Sequence, residues 1–141
     1  LYDRAHHREI YGFGGIAAVM PVYTGFVAIA FFAALGLPGL SAFVSEVLVL
    51  LGAWQRTPWL AAVGASAVVL TAGYMLWTLQ RVFLGPLNER YATLPELTAR
   101  EAFTLVPLAV IVVVLGVHPM PLIALIDATL AQLNAAVVPF L

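Results

Sequence analysis

One acidic residue stands alone in a long apolar stretch of the chain. It is Glu46, the only charged residue between positions 15 and 54. An ionisable side chain at membrane depth costs at least about 2.5 kcal/mol on insertion scales, and it normally faces a protein interior or a water-filled cavity. A carboxylate kept at that cost is a candidate for taking up and releasing protons. The alternative is a protonated carboxyl that hydrogen-bonds to a backbone carbonyl and only packs.

A helix break precedes this acid. In the stretch GLPGLSAFVSE, Pro38 lies between Gly36 and Gly39. Proline cannot donate a backbone hydrogen bond and clashes with the preceding turn, and glycine relaxes the backbone further. We therefore expect free carbonyl groups near residues 34 to 37, which attract water or ions. Broken helices at membrane depth are tolerated only where they are buried in protein or line a wet cavity, so the break and Glu46 together indicate an ion or proton site.

Small side chains share a helix face with Glu46. Gly39, Ala42 and Ala53 lie at helical spacing from it. A stripe of this kind admits either a close neighbouring helix or a file of water.

A second apolar stretch carries a polar line. Tyr74 lies three residues after Thr71 and four before Thr78, so the three side chains share one side of a helix. Such a line most often makes hydrogen bonds between helices. The alternative is that Tyr74 lines a wet channel.

The composition identifies the solvent around these elements. Hydrophobic residues make up 63% of the chain and charged residues 9%, and the mean hydropathy is +1.03. An average soluble domain is roughly half apolar and a quarter charged. These values indicate a membrane protein in contact with the lipid bilayer. All six basic residues are arginines and there is no cysteine, which excludes lysine Schiff bases and cysteine-ligated clusters within these residues. The net charge of −1 has no basic stripe for nucleic acid.

The apolar blocks predict an all-α membrane protein with three transmembrane helices and a C-terminal amphipathic helix. A single span needs about 20 residues. The first block, at about 40 residues, would be about 60 Å long as one helix, so it must break at Gly36–Gly39 to match a core of about 30 Å. The predicted segments are loop 1–14, discontinuous helix 15–54, helix 58–81, loop 82–101, helix 103–119 and amphipathic helix 120–141.

The arginines predict the orientation of the chain. Five of the six fall on one side if each block crosses the membrane once; they are Arg4, Arg8, Arg81, Arg90 and Arg100. Because positively charged loops stay in the cytoplasm, residues 1–10 and 82–101 are predicted inside. The C-terminus is then outside.

The last segment follows two prolines at GVHPMPL. Its apolar residues recur at helical spacing, with polar residues between them. We expect an amphipathic helix that lies on the outer face of the membrane. The alternatives are a short fourth span and a helix packed on its own domain.

Five fragments, taken in order, are similar to one family of membrane subunits. They read LYDRAHHREIYGFGG, MPVY, GLPGLSAFVSEVLVLLGAW, AGYMLWTLQRVFLG and REAFTLVPLAVIVVVLGVHP. They resemble the C-terminal part of the subunit M, or subunit 4, family of proton-pumping NADH:quinone oxidoreductase, respiratory complex I. The resemblance implies the last three of fourteen helices in an antiporter-like fold of a bacterial inner membrane, as the C-terminal piece of something longer. For Glu46 it implies the outer end of a proton path, where sister subunits usually carry a lysine.

The resemblance also covers the charged N-terminal segment. Arg4, His6, Arg8 and Glu9 match the family's cytoplasmic loop, whose pattern is LYDRxHxRE. One interpretation is a solvated, positive loop, and the other is charge pairing that orders a proton entrance. The two histidines and Glu9 lack the spacing of a structural zinc site, so no metal is expected.

The function that the resemblance implies is proton translocation coupled to quinone reduction. The chain would be part of an enzyme only through its complex and would itself bind no cofactor. NADH, FMN, iron-sulfur clusters and quinone would belong to partner subunits, and other membrane-arm subunits, including neighbouring antiporter-like ones, would be its partners. The alternatives are a subunit of a cation/proton antiporter or membrane-bound hydrogenase, and a purely structural scaffold.

Overall fold

The computed structural model describes residues 1–137, and its regular structure over that range is entirely helical. Short 3-10 turns at Ile10–Gly12, Ile16–Ala18 and Glu89–Tyr91 lie in the connecting segments. The α-helices in chain order are α1 Tyr2–Ala5, α2 Pro21–Ala34, α3 Ser41–Arg56, α4 Pro58–Val82, α5 Ala99–Val117 and α6 Met120–Val137. The break predicted within the first apolar block is therefore present, between α2 and α3.

The helix starts follow local sequence signals. Pro21 and Pro58 occupy the first turns of α2 and α4, where the missing N–H has no intrahelical partner to lose. At the start of α5, the Thr98 side chain accepts from the Glu101 N–H while the Glu101 carboxylate accepts from the Thr98 N–H. This capping box makes α5 begin at Ala99, four residues before the predicted position.

The first block begins its α-helix later than expected. Gly15 has a φ of +63°, and Ile16–Ala18 form a 3-10 turn, so the regular helix starts at Pro21 and not at residue 15. Gly15 lies against the backbone of Leu87, which leaves no space for a side chain there. The loop before α2 and the loop after α4 therefore pack directly on each other.

The buried core lies at one end of the molecule, which we call the loop end: residues 1–20, the last turns of α4 and the segment 83–98. Ile16 and Met20 are fully buried there. The other core side chains come from both loops and from α4; they are Phe13, Leu79, Val82, Phe83 and Tyr91. Elsewhere many of the large apolar side chains on the helices are exposed, as expected where lipid or further protein is the surrounding medium.

Three of the described helices, α4, α5 and α6, are long and apolar enough to cross a membrane, and α2 is a shorter apolar helix. The chain is thus a multi-pass, all-helical membrane protein. Both α4 and α5 contact both halves of the broken helix, so α2 and α3 are held by the same two neighbours.

The composition of α6 fits a span as well as a surface helix. All its side chains from Ala124 to Val137 are exposed. The amphipathic, outer-face arrangement therefore stays a prediction, and its last residues, 138–141, lie outside the described part of the chain.

Candidate functional site

The chain between α2 and α3 turns through two left-handed glycines. Gly36 has a φ of +67° and Gly39 a φ of +95°, both in a region that other L-residues rarely adopt. The Leu37 carbonyl accepts from the Leu40 N–H at 3.0 Å, so it is not among the free carbonyls expected here. Within residues 1–137, no backbone N–H donates to the carbonyls of residues 34, 35 and 36. Pro38 lacks the N–H that would serve the first of them.

The Glu46 carboxylate lies directly over Gly36. A Cβ atom placed on Gly36 would be 2.8 Å from the carboxyl carbon and closer still to Oε2. The second turn of α3 is thus folded back onto the end of α2. Only glycine leaves room for the acid in this position, so Gly36 provides both the turn and the space.

A cavity of about 300 Å³ adjoins the acid. It lies between the end of α2, the middle of α3 and the middle of α4. Glu46 is its one ionisable group, and Thr71 on α4 is the other polar side chain among the lining residues. The remaining lining is apolar or small, with Ala34, Leu35, Val49, Leu50, Gly64, Ala67 and Val68. A space of this size beside a carboxylate and a hydroxyl can hold several waters.

The fifth helix closes the other side of the break. A Cβ on Gly116 in α5 would overlap the Gly39 carbonyl oxygen and the backbone of Leu40. Of the two uses expected for the small-residue stripe, a close neighbouring helix is therefore the one found at Gly39. The backbone of α5 therefore contacts the break at Gly39, and the carboxylate from α3 contacts it at Gly36, while Leu37 and Pro38 between them are exposed.

The three polar side chains on α4 have different surroundings. Thr71 reaches the Glu46 cavity, whereas Thr78 donates its hydroxyl to the Tyr74 carbonyl at 2.8 Å. The Tyr74 side chain is 57% exposed and is not among the cavity-lining residues. A channel-lining role for Tyr74 stays a prediction.

Glu96 has a structural role that the sequence patterns did not predict. Its carboxylate accepts from the Val22 N–H at 2.9 Å and the Tyr23 N–H at 3.2 Å, and so caps the first turn of α2 from the loop before α5. It also accepts from the Leu97 N–H at 2.8 Å. Burial raises the pKa of Glu96, but these three donors and the Arg4 charge outweigh it and hold the pKa below its ordinary value. No local capping pattern predicts a cap from so far along the chain.

The predicted charged residues at the N-terminus take separate roles. Arg4 pairs with Glu101 at 2.8 Å and donates to the Glu96 carbonyl at 3.3 Å, joining this segment to the start of α5. Arg8 lies over the Tyr2 ring at 4.9 Å, and His6 ends α1 with a φ of 58°. Glu9 is exposed, and its N–H donates to a histidine ring. The structure thus ties Arg4 into the fold through an ion pair.

That histidine is His7, not the His6 of the predicted site. His7 Nδ1 accepts from the Glu9 N–H at 3.2 Å, so Nε2 carries the proton of the neutral ring and donates to the Tyr91 hydroxyl. Its ring stacks on Phe13 at 4.4 Å. His7 therefore binds the N-terminal segment to the loop after α4, while within residues 1–137 no three acids or histidines come together as a metal site.

A proline inside α5 is a further feature that the sequence patterns above did not predict. Pro107 lies in the middle of this helix, and the helix continues through it. Its ring removes one N–H from the helical ladder on the helix that closes the break. A proline in the run LVPLAV is the signal that could have marked it.

Comparison with known proteins places the chain among membrane subunits. The family described as NADH:quinone oxidoreductase/Mrp antiporter, TM, matches residues 1–71. NADH-quinone oxidoreductase subunit M of Mycobacterium tuberculosis is 41% identical over 127 residues, which are 90% of this chain and 23% of that protein. The subunit M of Rhodobacter capsulatus is 40% identical over 94% of this chain and 26% of its own length.

Two further relatives extend the comparison. F(420)H(2) dehydrogenase subunit M of Methanosarcina mazei is 34% identical over 87% of this chain and 25% of its own. A chain in the structure of respiratory complex I from Thermus thermophilus with bound NADH aligns with a TM-score of 0.76 and 34% identity, covering 84% of this chain and 25% of that one. This chain spans about a quarter of the length of the relatives that it matches.

Proposed function

The chain belongs to the NADH:quinone oxidoreductase/Mrp antiporter family, and from that premise we propose that it is part of a proton-translocating membrane subunit of an NADH:quinone oxidoreductase. The observation that carries this proposal is the Glu46 carboxylate, which lies over a helix break and against a cavity large enough for water. A proton carrier in a membrane needs a titratable group, a wet approach to it and a surrounding that changes its affinity for protons. The Glu46 carboxylate and the cavity beside it support the first two of these requirements.

Glu46 performs the proton-transfer step in this proposal. Water in the cavity brings a proton to the carboxylate, and the protonated acid returns it when charges in neighbouring helices change. The break contributes through the free carbonyls of residues 34 to 36, whose oxygen atoms accept hydrogen bonds from water and so orient it. Gly36 and Pro38 maintain this geometry, and Gly39 admits α5.

The redox chemistry lies elsewhere in the complex. NADH, FMN, iron-sulfur clusters and quinone would be bound by partner subunits, and this chain would contribute to the enzyme by moving protons. Its partners would be other membrane-arm subunits, with α6 lying along one of them on the outer face. These 141 residues include no cysteine that could ligate an iron-sulfur cluster.

The loop end would face the bacterial cytoplasm, since it holds four of the six arginines and a fifth, Arg100, follows it in the first turn of α5. There, the Glu96 carboxylate caps the first turn of α2, and Arg4 joins the N-terminal segment to Glu96 and to Glu101 at the start of α5. His6, Arg8 and Glu9 would lie in the same ordered segment.

The test replaces Glu46 with glutamine, which is nearly isosteric but cannot ionise. The matched control is Glu89→Gln, an exposed acid in the loop after α4. Redox-driven proton uptake by membrane vesicles is measured per assembled complex. We expect Glu46→Gln to assemble and to lose proton uptake with coupled quinone reduction, while Glu89→Gln retains both. Parental uptake by Glu46→Gln would favour a structural scaffold, in which this acid only packs.

The second candidate function is that of a subunit of a cation/proton antiporter or a membrane-bound hydrogenase. It differs from the first in the electron donor or in the ion that is moved. The family's description includes antiporters, and one relative is a subunit of an F(420)H(2) dehydrogenase. The subunits that copurify with the full-length protein distinguish these cases. Flavin and iron-sulfur subunits with NADH dehydrogenase activity support the first proposal, whereas hydrogenase subunits or the lack of redox subunits would support the second.

A further inference from the structure

A second cavity opens at the loop end, away from Glu46. It measures about 480 Å³ and lies beside the last turns of α4. Its lining includes Phe13, Trp77, Gln80, Arg81 and Pro86. Arg81 follows Thr71 by ten positions on the same helix, so the two cavities are about 15 Å apart along α4. The second cavity therefore plays no direct part at the helix break.

One aromatic ring lies against the exposed arginine of this cavity. The Arg81 guanidinium lies 5.3 Å from the centre of the Tyr11 ring, and Tyr11 meets Trp77 edge to face at 6.0 Å. A cation over a ring is oriented without losing its charge. Among residues 1–137, the structure contains no ion pair to Arg81. The cavity thus presents an oriented positive charge and the amide of Gln80 to whatever enters it.

We expect the cavity to lie at the level of the lipid headgroups when α4 spans the membrane. As a helix of 25 residues, α4 is about 37 Å long against a hydrocarbon core of about 30 Å, so it is long enough for its last turn to extend beyond the core. Tyrosine, tryptophan and arginine are the residues that gather at this depth. A second arginine, Arg8, lies at the same end of α4, near Thr78 and Val82.

We propose that this cavity binds the headgroup of an anionic glycerophospholipid. The planar guanidinium of Arg81 matches a phosphate with two parallel hydrogen bonds, and Gln80 supplies a further donor and acceptor. Trp77 and Leu84 border the cavity with exposed apolar surface, against which the first carbons of an acyl chain would lie. Basic cavities at the ends of membrane helices bind such headgroups in this way. The bound lipid would stabilise the packing between the loop before α2 and the loop after α4.

This inference requires that the chain spans a membrane, but it does not depend on proton transfer by Glu46. The two proposals are therefore tested by different measurements. Loss of proton uptake in Glu46→Gln says nothing about lipid binding, and lipid binding in the parent says nothing about pumping.

The experiment uses the full-length protein that contains this chain, purified from membranes and depleted of lipid. Phosphatidylglycerol and phosphatidylcholine are titrated in parallel, and bound lipids are counted by native mass spectrometry. We expect preferential binding of phosphatidylglycerol, which Arg81→Gln weakens about tenfold, as for the loss of one charged hydrogen-bonding partner. The control Arg100→Gln removes the same charge from an exposed position in the first turn of α5.

Three outcomes would overturn the proposal. The first is equal weakening by Arg81→Gln and Arg100→Gln, which would indicate only a general charge effect. The second is parental binding by Arg81→Gln. The third is displacement of phosphatidylglycerol by inorganic phosphate at equal concentration, which would identify a site for soluble anions. Should Arg81→Gln fail to fold, Arg81→Lys keeps the charge and loses the planar fork, and it should retain the preference for phosphatidylglycerol with weaker binding.

Discussion

The Glu46 carboxylate lies over Gly36, so the acid on α3 contacts the backbone at the end of α2. The turn through Gly36 and Gly39 brings these two residues together. Because the acid occupies the volume that a side chain at position 36 would fill, the identity of one residue limits the other. The proton-transfer proposal therefore depends on the space over Gly36 as well as on the charge of Glu46.

Replacing Gly36 with alanine tests the need for that space. The new Cβ would meet the Glu46 carboxylate, and a φ of +67° costs about 1–2 kcal/mol for a residue with a side chain. We expect a lower melting temperature and reduced proton uptake per assembled complex. The control is Gly25→Ala in α2, where a Cβ has no neighbour within 4 Å. Equal effects of the two substitutions would contradict a special role for Gly36.

Substitution of Pro38 by alanine tests the break itself. Alanine supplies an N–H that can satisfy the Ala34 carbonyl, and a proline inside a helix otherwise costs about 3 kcal/mol or more. We expect proton uptake to fall more than assembly does. Pro58→Ala is the control, since that proline occupies the first turn of α4. Normal uptake by an assembled Pro38→Ala complex would count against the break as part of the path.

The chemistry required at position 46 is tested with aspartate and lysine. Glu46→Asp keeps a carboxylate about one methylene short, a gap that water can bridge, so part of the uptake should survive. Glu46→Lys keeps a titratable group. If the cavity is wet, this variant should assemble and retain some uptake; in a dry site an unpaired cation would cost several kcal/mol and block assembly. Both results are measured as uptake per assembled complex, and an inactive Glu46→Asp would argue against simple proton exchange.

Gly116→Ala tests the contact between α5 and the break. The added methyl would overlap the Gly39 carbonyl and Leu40, and overpacking of this kind costs about 1–3 kcal/mol. We expect a lower melting temperature, with altered proton uptake as α5 moves away. A Cβ at Gly73 in α4 has open space around it, so Gly73→Ala should leave proton uptake unchanged and should not lower the melting temperature. If Gly116→Ala changes neither the melting temperature nor proton uptake, the backbone of α5 can move away from Gly39 and Leu40 at no cost in free energy.

Glu96→Gln tests the cap on α2 and its pH dependence. Loss of the charge at a helix N-terminus should destabilise the protein by about 1 kcal/mol. Because the folded pKa of Glu96 is lowered, its stabilisation is present above the ordinary carboxyl pKa and is lost as the pH falls below about 4.3 toward the folded value. The parent's melting temperature should fall more steeply over that acid range than that of Glu96→Gln. Glu89→Gln should follow the parent, and identical acid profiles for all three would refute the cap.

The sequence alone determined the membrane environment, the helix break and the candidate acid. These are local properties: apolar composition selects lipid as solvent, Pro38 cannot continue the hydrogen-bond ladder, and Glu46 has no charged neighbour to share its desolvation cost. The helix starts at Pro21 and at Ala99, after the Thr98 cap, are equally local, although the exact positions came only with the structure. The resemblance added the family and the fold, which the comparisons confirm.

Only the tertiary structure decided which groups face one another. That Glu46 covers Gly36, that Gly116 closes the break and that Glu96 caps α2 all depend on how separate helices pack. Periodicity within one segment predicts which side of a helix is apolar, but it does not specify which residue of a distant segment will meet that side. The same limit explains why His7 was passed over for His6: the ring is held by Tyr91 and Phe13, and Tyr91 reaches it only once the two loops have docked.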